Sequence, residues 1–350
     1  MRAKLYLKER LLYINDIETL SYKHGFLIYR CKEDIRKCKI GNLMNCINAY
    51  ERLIRKEPRC AAKVDDDNIL ISFKGRILNY CISSNTTTVD HIFSKGMNNP
   101  LDFLCVEDPM TFEKAIYYGE YIWNYDKGPV DIYIRKDSKW RIVFSFPEKT
   151  IMHIHNIIFD RFRNGFIILT GDEDSESGIW FADCDFKSVK PILSGSQQYR
   201  ACVAFPTEKG IYYATDTPLE NNYIYFIELG HNLKVLEHKK IFNMPGPCIY
   251  GCRKNQYMFF STSVEPDSSL NKWRYRITYK LGLGVKDRYS HIIRGDEKGE
   301  FEDLFQFRKD NFPMWLFQFG NILFPQNETN ELFAVLQSTS LGHGVTLKIS

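Results

Sequence analysis

The sequence predicts an all-β fold, a β-propeller of six blades with about four strands each, and seven blades is the alternative count. Three observations predict it. A strand-like segment recurs at nearly constant spacing, the aromatic content reaches 15% with 25 Phe and 21 Tyr, and no Pro/Gly/Ser-rich linker divides the chain. Aromatic and β-branched residues favour the half-buried surfaces of sheets. We therefore expect a single propeller domain over residues 1–350.

The recurring segment is a short aromatic or aliphatic strand followed by a turn with small or acidic residues. Its copies start 47, 51, 44, 47 and 64 residues apart, at residues 69–73, 116–120, 167–172, 211–216, 258–263 and 322–326. Most of these steps match a propeller blade of roughly 40–50 residues. A β-sandwich is the alternative fold, but sandwiches show strands every 8–12 residues or so without a longer period.

The spacing divides the chain into six units, at about 50–100, 101–147, 148–196, 197–243, 244–300 and 301–350. Each unit is expected to form a meander of four strands, because such sheets arranged radially leave only short, protected edges. Three alternative structures are predicted for the first 50 residues. They supply a closing strand, a short helix around residues 43–54, or a seventh blade.

The composition argues against several classes of protein. The net charge is only +4, from 47 basic and 43 acidic residues, so we expect no nucleic-acid partner, which would need a basic stripe on one face. No apolar run approaches the roughly 18 residues of a membrane span, so no membrane partner is expected. The start of the chain lacks the apolar core of a secretion signal. The ten cysteines are scattered without a CxxC pair, so we expect free thiols, no zinc motif and a cytoplasmic location.

Two of the repeats resemble the sialidase-type propeller superfamily. The similarity is carried by Thr170-Gly171-Asp172 with residues 178–183 and by residues 214–218. It covers residues 150–230, and the rest of the chain shares only the period. The resemblance implies a propeller fold and a link to glycans. It does not imply sialidase activity, because the Arg-Ile-Pro motif and the Asp boxes of that superfamily are not matched.

His153 and His155 are the first candidate site residues. On a strand the two imidazoles of His-Ile-His point the same way while Ile154 points to the other face. Three interpretations stay open: direct contact with a substrate, ligation of a divalent cation, and a structural pair. His155 is also the candidate catalytic base.

Three carboxylates occupy similar places after the strands of three repeats: Glu120, Asp172 and Asp216. We predict that they lie at the mouth of the central channel as catalytic groups or as ligands of a divalent cation. The alternative for Asp172 is an exposed acidic loop, since residues 172–176 contain four carboxylates.

Arg200 follows Tyr199 and leads into an apolar strand, where a charge is costly unless it is paired or binds an anion. The two alternatives are contact with an anionic ligand and a structural ion pair with Asp172 or Asp216. Tyr199 and Tyr118 are predicted substrate contacts, although aromatic core strands look the same in sequence. Arg59 is predicted to act like Arg200.

Together these residues predict a propeller that binds or processes a carbohydrate, an anionic sugar or glycan derivative, at its central channel. If it is an enzyme, it is a hydrolase or lyase that uses a carboxylate or histidine base. The alternative is a non-catalytic scaffold that binds a protein partner. Convergent His, Arg and carboxylate groups favour the first prediction, and a flat aromatic rim favours the second.

Overall fold

Seven sheets arranged around a central channel form a β-propeller. The structure is a computed structural model, and it describes residues 1–41, 48–55, 57–107 and 113–350. The predicted all-β propeller is confirmed, and the blade count is the alternative of seven. Two short helices, α1 (Asn48–Ile54) and α2 (Lys272–Ile277), lie outside the sheets. None of the described helices is long and apolar enough to cross a membrane.

The strands follow one another along the chain with few interruptions. In chain order they are β1 (Ala3–Leu7), β2 (Arg10–Ile14), β3 (Glu18–Lys23), β4 (Phe26–Cys31), β5 (Asp34–Lys39), β6 (Ala61–Lys63), β7 (Asn68–Phe73), β8 (Arg76–Cys81), β9 (Thr86–Ile92), β10 (Leu104–Glu107), β11 (Lys114–Gly119), β12 (Val130–Lys136), β13 (Lys139–Phe146), β14 (His153–Asp160), β15 (Gly165–Gly171), β16 (Gly178–Asp183), β17 (Val189–Ser194), β18 (Ala201–Pro206), β19 (Gly210–Thr215), β20 (Asn222–Leu229), β21 (Val235–Met244), β22 (Cys248–Lys254), β23 (Tyr257–Thr262), β24 (Tyr289–Gly295), β25 (Phe301–Arg308), β26 (Asn321–Leu323), β27 (Gln326–Asn327), β28 (Leu332–Gln337) and β29 (Val345–Ile349).

Six blades are meanders of four consecutive strands, β2–β5, β6–β9, β10–β13, β14–β17, β18–β21 and β22–β25, which we number blades 1 to 6. Blade 7 combines β26, β28 and β29 with β1. Strand β1 pairs antiparallel with β29, with Ala3 opposite Ile349, so the beginning of the described chain closes the ring. The short β27 joins blade 1 in parallel with β2.

The N-terminal region contains all three of its predicted alternatives. Strand β1 is the closing strand, β2–β5 form the additional blade, and α1 is the short helix. The predicted helix also included residues 43–47, which lie outside the described residues. A blade in this region explains why six repeats were counted, since its strands do not carry the recurring segment.

The predicted boundary was wrong at the fifth unit, which forms blade 6 and does not end at residue 300. Strand β25 extends blade 6 to Arg308, because a long insertion with α2 separates β23 from β24. The recurring segment at residues 322–326 overlaps an inner strand, β26, whereas the earlier copies coincide with second strands such as β15 and β19. The step of 64 residues therefore reflects both an insertion and a change of strand.

Second strands are mostly buried because blades pack on both of their faces. Every residue of β15 and of β19 is buried. Between blades 3 and 4, Tyr117, Phe166 and Phe186 form one aromatic cluster with ring centroids 4.8–6.0 Å apart. Such rings contribute both buried apolar area and specific pair geometry. This packing fixes the rotation of each blade and thus the position of the strand ends.

The cysteines in the described residues are all free: Cys31, Cys38, Cys60, Cys81, Cys105, Cys184, Cys202, Cys248 and Cys252. The tenth, Cys46, lies outside the described residues. Several are buried in the blade interfaces, where a thiol packs as a small apolar group.

Glu57 ties blade 1 to blade 7 and makes stability dependent on pH. Its carboxylate accepts a hydrogen bond from His343 Nε2 and lies 4.0 Å from Arg10 Nη2. Burial alone would raise the pKa of Glu57, but His343 and Arg10 lower it to about 2. A carboxyl whose folded pKa lies below its ordinary 4.5 stabilises the fold above pH 4.5 and loses that contribution as the pH falls towards 2.

We expect Glu57→Gln to lower the free energy of unfolding at pH 7 by about 3 kcal/mol, the value of such a pKa difference. The deficit should shrink between pH 4.5 and pH 2, because the wild-type carboxyl then becomes neutral as well. Urea denaturation of both proteins across this range measures it. A deficit that stays constant with pH would contradict this role of Glu57.

Candidate functional site

Polar side chains from blades 4 and 5 converge where the innermost strands of these blades begin. We call His153, His155, Asp172, Arg200 and Asp216 the mouth cluster. His153 and His155 open β14, Asp172 follows β15, Arg200 precedes β18 and Asp216 follows β19. Adjacent blades repeat the same hairpin, so these positions lie side by side on one face of the propeller.

A β-bulge positions His155. The pairing of β14 with β15 shifts between Ile154 and Asn156, which leaves His155 as the additional residue. The same shift occurs in β18 between Ala201 and Val203, so Cys202 is the equivalent of His155 in blade 5. Bulges re-aim side chains and are frequent beside functional sites.

The Asp172 carboxylate is the centre of the mouth cluster. Its Oδ1 lies 3.2 Å from His155 Nε2, 3.6 Å from His153 Nε2 and 2.9 Å from Arg200 Nη2. The structure thus brings together His155 and Arg200, which are separated by 45 positions in the chain. Gly171 makes this approach feasible, because a Cβ on it would lie 2.5 Å from His155 Cε1.

A backbone carbonyl holds each of the two imidazoles at Nδ1. His153 Nδ1 is 3.1 Å from the carbonyl oxygen of Ile122, and His155 Nδ1 is 2.9 Å from that of Ala201. A carbonyl can only accept, so each Nδ1 carries a proton. Both Nε2 atoms face Asp172.

The mouth cluster is mostly buried, and Asp172 is its most exposed member. The side chains of His155, His153, Arg200 and Asp172 are 1%, 3%, 15% and 24% exposed. Burial lowers the pKa of His153, and the neighbouring His155 lowers it further. Burial would raise the pKa of Asp172, but His153, His155 and Arg200 outweigh it and hold that pKa well below its usual value.

Arg200 forms the ion pair that the sequence left as one of two alternatives. It pairs with Asp172 and lies 3.9 Å from Asp216 Oδ2. Its Nε is buried without a hydrogen-bond partner in the described part of the chain. Burial would lower the pKa of Arg200, yet the two carboxylates raise it. The guanidinium therefore stays charged and keeps a donor that is not satisfied.

Glu265 and Cys202 extend the mouth cluster, and the sequence did not single them out. Cys202 Sγ donates to Asp216 Oδ2 at 3.3 Å. Glu265 comes from the insertion of blade 6, and Ser263 donates to it. Burial and the charge on Asp216 raise the pKa of Glu265 to about 7. Only alignment of the blades could have indicated Cys202, because it occupies the bulge position that His155 occupies in blade 4. No sequence pattern indicates Glu265.

Aromatic residues beyond β11 border the mouth cluster. The ring of Tyr121 lies 4.5 Å from that of His153. Trp123 meets His153 edge-on at 6.4 Å and stacks on Tyr125 at 6.1 Å. Trp123 and Tyr125 are 56% and 74% exposed. The exposed rings of Trp123 and Tyr125 provide apolar faces next to charged groups, and sequence reasoning missed both residues.

Three predicted site residues lie elsewhere. Tyr118 is buried between blades 2 and 3, where it stacks on Tyr133 with ring centroids 5.0 Å apart, so it has no surface for a ligand. Glu120 turns towards blade 2, where Ser94 donates to its carboxylate, and the backbone N–H of Asp131 in its own blade donates to it at 3.0 Å. Tyr199 packs against His238 in blade 5 at 5.7 Å.

Arg59 lies beside the mouth cluster and not in it. Its guanidinium is 5.7 Å from the ring of Tyr121, and Nη1 donates to the carbonyl of Asn99 at 3.0 Å. Arg59 also lines a cavity of about 360 Å³ inside the central channel, together with Asp102 and Tyr250. Burial raises the pKa of Asp102 to about 6. The cavity walls include inner strands of several blades, whereas the mouth cluster stands outside its lining.

Two sets of three side chains in the described residues bring possible metal-ligating atoms within 4.8 Å of one another. One set is His153, His155 and Asp172, and the other is His155, Cys202 and Asp216. The exposed-loop alternative holds for Glu173 and Asp174 and not for Asp172, which is partly buried in the mouth cluster. Glu176 is buried and pairs with Lys127.

Comparison with known proteins supports the fold. No protein-family model matches the chain, and no curated protein matches it. The oligogalacturonate lyase of Vibrio parahaemolyticus superposes with a TM-score of 0.54 at 8% identity, over 99% of this chain and 96% of that chain. Oligogalacturonate lyase in complex with manganese gives 0.52 at 8% identity, over 99% and 96%. The CNH domain of AfRom2 gives 0.57 at 7% identity, over 99% and 95%.

At these identities the similarity is one of fold. It confirms the β-propeller over nearly the whole chain. None of these three structures is a sialidase, so the predicted sialidase-type resemblance is supported only at the level of the propeller.

Proposed function

We propose that the protein binds an anionic sugar or glycan derivative at the mouth cluster. One observation carries the proposal: His153, His155, Asp172 and Arg200 converge on one face, next to the exposed ring of Trp123. Arginine suits a sugar carboxylate because its planar fork of donors matches carboxylate geometry. Arg200 Nε is the donor left without a partner in the described residues.

Trp123 supports a sugar in particular. Its exposed face can stack against the apolar face of a pyranose ring, while the neighbouring charged groups contact hydroxyl and carboxylate groups. Few precisely placed polar groups beside an aromatic surface are typical of small-molecule sites. The comparison with oligogalacturonate lyases agrees with this ligand class, since galacturonate carries a carboxylate on each ring.

The chemistry that this arrangement favours is elimination. A base in the mouth cluster would take the proton from the carbon next to the sugar carboxylate. The C–O bond to the leaving group would then break as a carbon–carbon double bond forms, and water would supply a proton to the leaving oxygen. Arg200 would stabilise the negative charge that develops on the carboxylate. Hydrolysis is disfavoured, because Asp172 is held strongly acidic and cannot act as a general acid at neutral pH.

A scaffold that binds a protein partner is the second candidate, and the aromatic rim favours it. Trp123, Tyr125, Trp273 and Phe312 are all exposed. Trp123 and Tyr125 stack on one another, and exposed apolar surface of this kind is typical of interaction sites. A cytoplasmic location stays part of either proposal.

A titration of the purified protein with galacturonate and short oligogalacturonates tests the proposed function, with galactose as the neutral control. We expect calorimetric binding of the acids and none of galactose at the same concentration, because the carboxylate is the group that Arg200 recognises. Absorbance of an unsaturated uronate product would report elimination. Equal binding of galactose and galacturonate, or no binding of either, would refute the proposal and favour the scaffold.

A further inference from the structure

The mouth cluster contains an electrostatic conflict. His153 Nε2 is buried and has no hydrogen-bond partner in the described residues, although Asp172 Oδ1 lies 3.6 Å away. Since each Nδ1 donates to a backbone carbonyl, both Nε2 atoms are left to face one carboxylate oxygen. A nitrogen lone pair and a negative charge repel one another unless a proton or a metal ion lies between them.

The distances are those of donor atoms around one metal ion. Metal–nitrogen and metal–oxygen bonds of about 2.1 Å place neighbouring ligand atoms roughly 3.0–3.4 Å apart in octahedral and tetrahedral sites. The contacts of Asp172 Oδ1 with the two Nε2 atoms measure 3.2 and 3.6 Å. These two distances lie in or within a few tenths of an ångström of that range, and all three ligand atoms lie within 4.8 Å of one another.

The surrounding groups resemble the outer shell of a metal site. Metal-bound histidines usually donate their other ring N–H to a backbone carbonyl or carboxylate, which fixes the tautomer and the ring orientation. Ile122 and Ala201 provide these carbonyls. Arg200 Nη2 contacts the same Oδ1 of Asp172 at 2.9 Å.

We infer that His153 Nε2, His155 Nε2 and the Asp172 carboxylate bind one divalent transition-metal ion, with open coordination positions towards solvent for an anionic ligand. Two imidazoles and a carboxylate suit Mn²⁺, Fe²⁺ or Zn²⁺ better than Ca²⁺ or Mg²⁺, which prefer oxygen ligands. The site lies in the mouth cluster, so the inference deepens the proposed function. Metal binding itself requires no sugar.

The second set of ligating atoms fits less well. Cys202 Sγ already donates to Asp216, and Asp216 lies 3.9 Å from Arg200. His155 Nε2 faces Asp172, with which it is in contact at 3.2 Å. A metal ion at the second set would break the Cys202–Asp216 hydrogen bond, which a metal ion at the first set leaves intact.

Charge also distinguishes the role of Arg200 in metal binding from its role in ligand binding. Its guanidinium lies 2.9 Å from the oxygen that would coordinate the ion. It therefore competes with the metal for Asp172 and repels it, while attracting the anionic ligand. Removing this charge should strengthen metal binding and weaken ligand binding.

Mn²⁺ titrated into the wild-type protein, followed by loss of the electron paramagnetic resonance of the free ion, tests the inference without any sugar. We expect one bound equivalent. His153→Ala and Asp172→Asn should each lower the affinity at least tenfold, in line with the usual effect of disturbing a metal site. Arg200→Met should raise it severalfold. His231→Ala, at an exposed histidine, is the matched control and should change nothing.

The same variants are melted to show that they remain folded, and Asp172→Asn carries the test if His153→Ala does not fold. No Mn²⁺ uptake by the wild type, or uptake that Asp172→Asn leaves unchanged, overturns the inference. The sugar titration is read separately. Galacturonate binding without Mn²⁺ uptake refutes only the metal site, and Mn²⁺ uptake without galacturonate binding refutes only the proposed function.

Discussion

Replacing Arg200 with alanine is expected to weaken galacturonate binding by about 1.5–3 kcal/mol, which is roughly tenfold to a hundredfold or more in affinity, because a charge-assisted hydrogen bond is lost. Arg200 also pairs with Asp172, so the variant should melt several degrees lower than the wild type. Calorimetric titration and a thermal melt of the same preparation measure both effects.

The matched control for Arg200 is Arg163→Ala. Arg163 forms a comparable ion pair with Asp160, at 2.8 Å, but at the opposite end of β14. This control should lose stability and keep its affinity. If Arg200→Ala behaves like Arg163→Ala, with lower stability and unchanged binding, then Arg200 is only a structural ion-pair partner.

Gly171→Ala is expected to disrupt the mouth cluster without removing any of its functional groups. The new Cβ would lie 2.5 Å from His155 Cε1, 3.1 Å from His155 Nε2 and 3.4 Å from Arg200 Cγ. His155 must therefore move. We expect a loss of about 1–3 kcal/mol in stability from overpacking and a loss of affinity of about tenfold or more from the misplaced ring.

Gly128→Ala is the control for this substitution. Its Cβ would meet only Asn124 Oδ1, at 3.7 Å, which is ordinary contact. Urea denaturation and ligand titration should leave it close to the wild type. A Gly171→Ala protein that binds as well as Gly128→Ala would show that the position of His155 does not matter for the ligand.

The period of the recurring segment predicted the propeller because each copy except the last is a second strand, and second strands are largely apolar. Strands β15 and β19 are buried on both faces, so their apolar runs are continuous and easy to recognise. The blade count was harder to predict. Residues 10–39 form a blade whose strands carry more polar residues, and one blade contains an insertion that breaks the spacing.

The convergence of the candidate residues could be predicted where position along the strand alone decides it. His153, His155, Asp172, Arg200 and Asp216 begin or end strands that meet at one face. Glu120 occupies the place equivalent to Asp172, yet its side chain turns to Ser94 in the preceding blade. Repeat position fixes where a Cα lies, but the choice of hydrogen-bond partner depends on neighbours that are distant in sequence. The same reason explains why Trp123 and Glu265 were missed.

A crystal structure of the protein with bound galacturonate tests the central claim most directly. The account predicts that the sugar carboxylate lies within hydrogen-bonding distance of Arg200 at the mouth cluster, with the ring against Trp123. Galacturonate ordered only in the channel cavity beside Arg59 and Asp102, or on another face of the propeller, would contradict it.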